Sequence, residues 1–160
     1  MAVTRTDLDR LDLKLLMLLQ ENNLQTAEEL AERVGLSPTS CLRRLRRLRE
    51  NGAIMSDVSI ISPSVAGKRV TSIVLVALEQ EQLDLLHTFK SRMSAYPEVT
   101  QCYYVTGSAD FILVVNTGSM EEYGAFTERA FFPDKNIKSF NTYVSMQTVK
   151  FTTRVNLDVS

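Results

Sequence analysis

The chain has no tryptophan, one histidine and two cysteines in 160 residues, with six glycines and four prolines. Each scarcity excludes a class of protein. Two cysteines, Cys41 and Cys102, cannot form a disulfide framework or a four-ligand zinc cluster, and both read as small packing residues. The single histidine, His87, falls on the outer side of its helix with no orienting partner nearby in sequence, so it reads as a solvated surface residue rather than a general base. No run of about eighteen apolar residues exists to span a membrane. The opening Met1-Ala2-Val3-Thr4-Arg5-Thr6-Asp7 lacks the apolar core of a signal peptide. Walker loops, dinucleotide glycine fingerprints and metal-ligand spacings are also missing. These absences predict a cytoplasmic, reduced protein that is not an enzyme, with no catalytic residues, no metal and no cofactor.

Excess charge of one sign is lacking too. The chain carries 18 basic and 19 acidic residues for a net charge of −1, and residues 1–62 are themselves balanced, so overall charge does not draw the protein to a polyanion. What is present is an uneven distribution. The run Ser37-Pro38-Thr39-Ser40-Cys41-Leu42-Arg43-Arg44-Leu45-Arg46-Arg47-Leu48-Arg49 gathers five arginines on one predicted helix without an acid among them. A local field of one sign docks a polyanion even on a neutral protein.

Local rules set the geometry of that helix. Ser37 is its predicted N-cap and Pro38 suits the first helical position, where no N–H is needed. At 100° per residue Leu42, Leu45 and Leu48 fall within an arc of roughly 120°, while Ser40, Arg43, Arg44 and Arg47 gather on the opposite side. Arg46 lies on the flank, and Arg49, close to the leucine seam, is expected to snorkel or pair with an acid. Arginine grips phosphate and guanine edges bidentately. The candidate base-contacting residues are therefore Arg43, Arg44 and Arg47 with Ser40 beside them, and Ser37, Thr39 and the helix N-terminus are candidates for phosphate.

The preceding segments supply the rest of a DNA-binding motif. Asp7-Leu8-Asp9-Arg10-Leu11-Asp12 opens a helix with acids in its first turn, and Leu8, Leu11, Leu15, Leu18 and Leu19 share one face. Leu13, Leu16 and Met17 lie off that face, which predicts burial on more than one side. Thr26-Ala27-Glu28-Glu29 has the capping-box form, and Gly35 is placed to turn with positive φ before Ser37 restarts the chain. Helix, short glycine-containing turn and arginine-rich helix make the helix-turn-helix pattern. Asn51-Gly52 closes the third helix, and residues 53–61 read as one or two short extended segments, a wing or a link.

Breaks at Ser62-Pro63-Ser64 and Gly67-Lys68-Arg69 set the domain boundary, giving an N-terminal domain over 1–62 and a second over 63–160. The second reads as strand 71–78, helix 82–96, strand 99–105, strand 111–115, a helix opened by the capping box Ser119-Met120-Glu121-Glu122, and a longer strand 140–151. The second helix is expected to turn Met120, Tyr123, Phe126 and Ala130 inward. The order β-α-β-β-α-β is that of a ferredoxin-like sandwich. The whole is α+β, an all-α helix-turn-helix with a short wing followed by this sandwich. Residues 72–78 and 111–115 are almost continuously apolar, so both faces of the sheet need cover. Two helices cover one face, and the other is expected to be an oligomer interface, most simply a two-fold dimer that presents the arginine helix twice to a palindromic site.

The Gly107-Ser108-Ala109-Asp110 turn admits two readings. Free amides at a glycine turn hold a carboxylate and Asp110 holds an ammonium group, which suits a free amino acid. Equally, it is a hairpin turn with Asp110 as its cap.

These residues resemble the leucine-responsive Lrp/AsnC, or feast/famine, transcription regulators over nearly the full length. The opening Leu8-Asp9-Arg10-Leu11-Asp12 and the run from Val34 to Arg44 are similar to the family's DNA-binding half. Val105-Thr106-Gly107-Ser108-Ala109-Asp110-Phe111 resembles its effector loop, and Thr142-Tyr143-Val144-Ser145-Met146 its last core strand. The resemblance implies a winged helix-turn-helix joined to an amino-acid-metabolism regulatory (RAM) domain, homodimers assembling into octamers, and effector pockets between neighbouring dimers. Carried over by position, the effector residues are Gly107, Asp110, Met120, Tyr143, Val144 and Ser145. Ser108-Ala109 stands where some members carry an acid and an aromatic, and Ser40 where some carry a proline, so the family resemblance does not name the effector. The expected function is a sequence-specific, DNA-binding transcriptional regulator responsive to a small metabolite such as an amino acid. A DNA-architectural protein with low sequence preference and no effector is the alternative, and a regulatory subunit of an enzyme is a further rival that the unmixed arginine strip disfavours.

Overall fold

The computed structural model describes residues 4–157. After a 3-10 turn at Arg5–Asp7, helix α1 (Arg10–Glu21) is opened by a reciprocal pair of acids: the Asp12 amide donates to the Asp9 carboxylate at 2.8 Å and the Asp9 amide to the Asp12 carboxylate at 3.1 Å. The Thr26/Glu29 capping box starts α2 (Ala27–Val34), and Gly35 ends it at φ 74°, in the left-handed region where a side chain is strained. Helix α3 (Pro38–Glu50) follows after the three residues Gly35, Leu36 and Ser37, with the Ser37 hydroxyl accepting from the Ser40 amide and Pro38 in the first turn. Leu15, Leu30, Ala31, Val34, Cys41 and Leu45 form the buried centre of the three helices, ringed by Leu11, Leu18, Leu19 and Leu36.

Two expectations for this region change and one holds. The buried seam of α3 is Cys41, Leu45 and Leu48, spaced i, i+4, i+7 within an arc of about 60°, whereas Leu42 at the edge of the expected arc is 57% exposed. Leu13 and Leu15 are both buried, as burial of α1 on more than one side requires. Residues 53–61 form no strand: among the described residues their backbone meets no partner strand, and Met55, Val58 and Ile60 lie exposed.

The second unit spans residues 61–149. A short helix α4 (Pro63–Ala66) precedes β1 (Val70–Leu78), α5 (Leu83–Ala95), β2 (Val99–Tyr104), β3 (Phe111–Thr117), α6 (Met120–Ala130) and β4 (Ile137–Val144). The four strands run antiparallel in the order β2-β3-β1-β4, the sheet of the expected sandwich. Val74, Val76, Phe111, Leu113 and Val115 meet Leu86, Phe89 and Met93 of α5 and Tyr123, Phe126 and Ala130 of α6 in one core. Both helices therefore cover the same face. The intervening residues of the strands, Ile73, Leu75, Ile112 and Val114, point the other way, beside Tyr103 and Tyr143 in register. Ile73, Tyr103 and Tyr143 are 40%, 53% and 59% exposed, so the near-continuous apolar strands are explained by an open apolar face. Met120, expected inward, stands exposed at the start of α6.

The last strand begins three residues earlier than expected and ends at Val144 rather than 151. Beyond it the chain is extended but unpaired in the sheet, and residues 150–157 pack with residues 4–60 instead of the second unit. Backbone hydrogen bonding gives the reason. The Gln20 side-chain amide takes both polar groups of Val155, donating to its carbonyl at 3.1 Å and accepting from its N–H at 2.6 Å, while Arg154 donates to Glu21 at 3.2 Å. The polar backbone of Val155 is satisfied on α1, which the strand pattern alone does not reveal.

Candidate nucleic-acid interface and effector region

Helix α3 sorts its arginines by the acids around them. Asp12 is 1% exposed and lies against α3; Arg44 Nη1 donates to it at 2.8 Å and to Asp9 at 2.6 Å, and Arg47 Nη2 also donates to Asp12. A buried carboxylate must be paired, and two arginines of α3 supply the pairing. Burial works against ionisation of Asp9, but the Asp12 amide and the Arg44 guanidinium outweigh it and hold the Asp9 carboxyl below its ordinary range. The same two acids push the Arg44 guanidinium further toward its charged form. Arg44, expected among the base readers, is thus turned inward and only 21% exposed; it fixes α3 on α1. Arg47 is divided, half exposed with one nitrogen on Asp12.

The outward face differs accordingly. Arg43 is exposed and, among the described residues, has no hydrogen-bonded or ion-paired partner for its guanidinium. Arg46, set on the flank by the helical wheel, is 82% exposed and pairs with Glu50 one turn on. Recentring the wheel on Cys41, Leu45 and Leu48 brings Thr39, Leu42, Arg43 and Arg46 onto one outward stripe, spaced i, i+3, i+4, i+7. Arg46 was missed because Leu42 was counted as core, which rotated the face. Ser37 and Ser40 bond to each other through their hydroxyls at 2.9 Å at the head of the helix, and Thr39 is exposed beside them. Arg49 pairs with Asp57 at 2.8 Å, as its place near the seam suggests, and this contact lowers the Asp57 carboxyl below its ordinary range. Cys41 is fully buried, and burial raises its thiol.

The residues of the effector region divide between the two ends of the sheet: Gly107 and Asp110 lie where β1 ends and β3 begins, and Met120, Tyr143, Val144 and Ser145 where β1 begins and β3 and β4 end. Gly107 turns at φ 142°, where a side chain is strained. Asp110 is held in the sheet: its carboxylate accepts from the Leu78 N–H at 2.6 Å, its own N–H donates to Val76 O at 2.9 Å, and its carbonyl accepts from Val105 N at 2.9 Å. Capping is thus part of what Asp110 does. Tyr143 and Val144 are 59% and 45% exposed at the end of β4, and the Ser145 N–H donates to Thr71 O at 2.8 Å. Met120 is 48% exposed at the head of α6. By alternation Tyr143 lies on the open sheet face and Val144 on the other, opposite Ser72. Neither of two surface hollows of the chain, one around Glu21, Gln25, Glu29 and Arg33, the other around His87, Ser91 and Arg92, is lined by any of these residues.

Known proteins share both halves of this arrangement. Residues 71–155 match the Lrp/AsnC ligand-binding domain and residues 8–55 a winged helix-turn-helix DNA-binding domain. An HTH-type transcriptional regulator of Sinorhizobium fredii is 52% identical over 153 residues, covering 96% of this chain and 90% of that protein. The leucine-responsive regulatory protein of Rhizobium meliloti is 30% identical, over 97% of this chain and 99% of its own. Among solved structures, an AsnC family transcriptional regulator from Agrobacterium tumefaciens superposes with a TM-score of 0.84 at 32% identity, over 93% of this chain and 97% of that one. A transcriptional regulator from Neisseria meningitidis, solved as a complex with L-methionine, reaches the same TM-score at 29% identity over 94% and 97% of the two chains.

Proposed function

The chain belongs to the Lrp/AsnC family of transcriptional regulators, with a helix-turn-helix and a ligand-binding domain, and on that premise we propose that α3 reads specific duplex sites and that an amino acid bound by the second domain alters the reading. The observation that carries the DNA half is the state of the α3 arginines: the acids nearby have taken Arg44 and part of Arg47, while Arg43 stands outward with no acid paired to it among the described residues. Arg43 and Arg46 are the base contacts in this reading, Arg47 reaches phosphate or a base edge with its free nitrogen, and Ser37, Thr39 and Ser40 at the helix head serve phosphate. The N-terminal domain runs over 1–62, extended by the returning tail.

An amino-acid effector is favoured by the ligand-binding domain and by the Neisseria relative with L-methionine. Gly107, Asp110, Met120, Tyr143, Val144 and Ser145 are its residues in this reading. Most of them are exposed in the single chain, which suits a site completed by another subunit. The open apolar sheet face, with Ile73, Tyr103 and Tyr143 exposed, supports a homodimer, and further association of dimers into an octamer would close the effector sites. The protein works in the cytoplasm beside its DNA and performs no catalysis.

The test uses the full chain with randomised duplexes at fixed salt, followed by titration of the enriched duplex over a salt series and with each common amino acid. Enrichment of one sequence, an affinity that falls steeply with salt, and a shift caused by some amino acids and not others are expected. Uniform binding to all duplexes, with no amino-acid response, would instead identify a DNA-architectural protein.

A further inference from the structure

Among the exposed side chains of α3 one is chemically out of place. Leu42 is 57% exposed, in a helix that beyond its opening Pro38 otherwise shows water arginines, hydroxyls and a terminal glutamate. Its neighbours on the helix surface are Thr39 one turn before, Arg43 beside it and Arg46 one turn after. Solitary exposed leucines are ordinary on protein surfaces and need no explanation. This one differs in position. It is the fifth residue of α3, in the N-terminal half of the helix, which is the part of a recognition helix that reaches base edges.

We propose that Leu42 is a specificity-determining residue, reading the C5-methyl group of a thymine in the major groove next to the bases taken by Arg43 and Arg46. The inference rests on the reading of α3 as the recognition helix. Its chemistry is selective in both directions. The thymine methyl is the one apolar feature that the major-groove edges of the four bases present. Leucine has nothing to donate or accept, so against guanine, cytosine or adenine it would strip water from N7, O6, N4 or N6 without replacing the lost hydrogen bond. Against thymine it covers a methyl group instead. The fixed pairing of Arg44 and Arg47 with Asp12 limits rotation of α3 about its axis, and this keeps the Leu42 edge of the stripe turned outward.

Uracil tests the idea, because replacing thymine by uracil in a duplex deletes the methyl and leaves the hydrogen-bonding edge unchanged. The full chain is used to select duplexes from a randomised pool, and each thymine of the enriched duplex is then exchanged singly for uracil. At one thymine per half-site, the native protein is expected to lose about fourfold in affinity, the worth of one buried methyl. Leu42→Ala is expected to bind the thymine and uracil duplexes equally at that position and to select sites that are degenerate there. Leu42 lies outside the core, so both it and Leu42→Gln are expected to keep the native circular dichroism and melting temperature. The proposal is overturned if no thymine is uracil-sensitive, or if the sensitive one stays equally sensitive in both variants. Failure to enrich any duplex sinks the recognition-helix premise itself, and Leu42 as a reader with it.

Discussion

Arg44 of the third helix donates at 2.8 Å to Asp12 of the first, a carboxylate with 1% of its side chain exposed. Breaking such a buried pair by removing one partner leaves a charge without compensation, which costs about 3–5 kcal/mol in general. Arg47 stays on Asp12 when Arg44 is lost, so Arg44→Ala is expected at the lower end, about 3 kcal/mol. Arg43→Ala should alter stability by no more than about 0.5 kcal/mol, as for other surface changes. Denaturant titration of the two variants decides the matter. Equal losses would show that Asp12 does not hold α3 in place.

DNA binding should order the same residues the other way. Arg43→Ala is expected to weaken the enriched duplex by about 1–3 kcal/mol and to relax preference at one base pair if its contact is bidentate. Arg46→Ala should do the same at another position. Gel-shift titration of folded protein measures both, and unchanged affinity with either variant removes that arginine from the reading face.

Acid should loosen the N-terminal unit. In the folded state Asp9 is held below its ordinary range, burial being outweighed by the Asp12 amide and Arg44, and Asp57 is held low by its hydrogen bond from Arg49. For a carboxyl whose folded value is depressed, the stabilisation is complete above the unfolded value near 3.9 and is lost as pH falls through the folded one. Melts recorded from pH 7 to pH 2 are therefore expected to be flat above about pH 5 and to fall below about pH 4. Asp57→Asn removes the Arg49 share and should reduce that dependence. A native-like melt at pH 2 contradicts the linkage.

How much of this was legible in the sequence depended on whether the signal was local. The capping box at Thr26, the N-cap at Ser119, the turn at Gly35 and the first three strands of the second domain need only neighbouring residues and appear where expected, although the Glu122 carboxylate takes the Gly118 N–H instead of closing a box with Ser119. Leu42 was misassigned because a helical wheel does not show its own centre: a small buried cysteine at position 41 defined the seam and a larger leucine did not. The fate of Arg44 required a partner 32 residues away, the separation between it and Asp12. The acids were visible in the first helix, but their pairing was not. Nor did any pattern show that residues 150–157 leave the sheet for Gln20. For the effector region, position supplied the residues, while the use of Asp110 to bind the Leu78 amide became apparent only with the strand register.

That bond lets one residue's two roles be separated. The Asp110 carboxylate accepts from Leu78 N at 2.6 Å, where β3 begins beside the end of β1. Leu78 is itself buried, so Asp110→Ala leaves its amide without a partner and is expected to cost about 1–3 kcal/mol. Asp110→Asn keeps an oxygen for that amide and removes only the charge, so it should fold with nearly native stability. If the charge also faces an effector ammonium group, the asparagine variant loses its response to amino acids while still binding the duplex. Ligand at a hundred times its dissociation constant stabilises a folded protein by about 2.7 kcal/mol. A thermal-shift screen therefore shows a clear rise for the native chain with its effector and none for Asp110→Asn. Should the asparagine variant shift as the native protein does, Asp110 is a strand cap alone, and the ammonium must be met by another group in the assembled site.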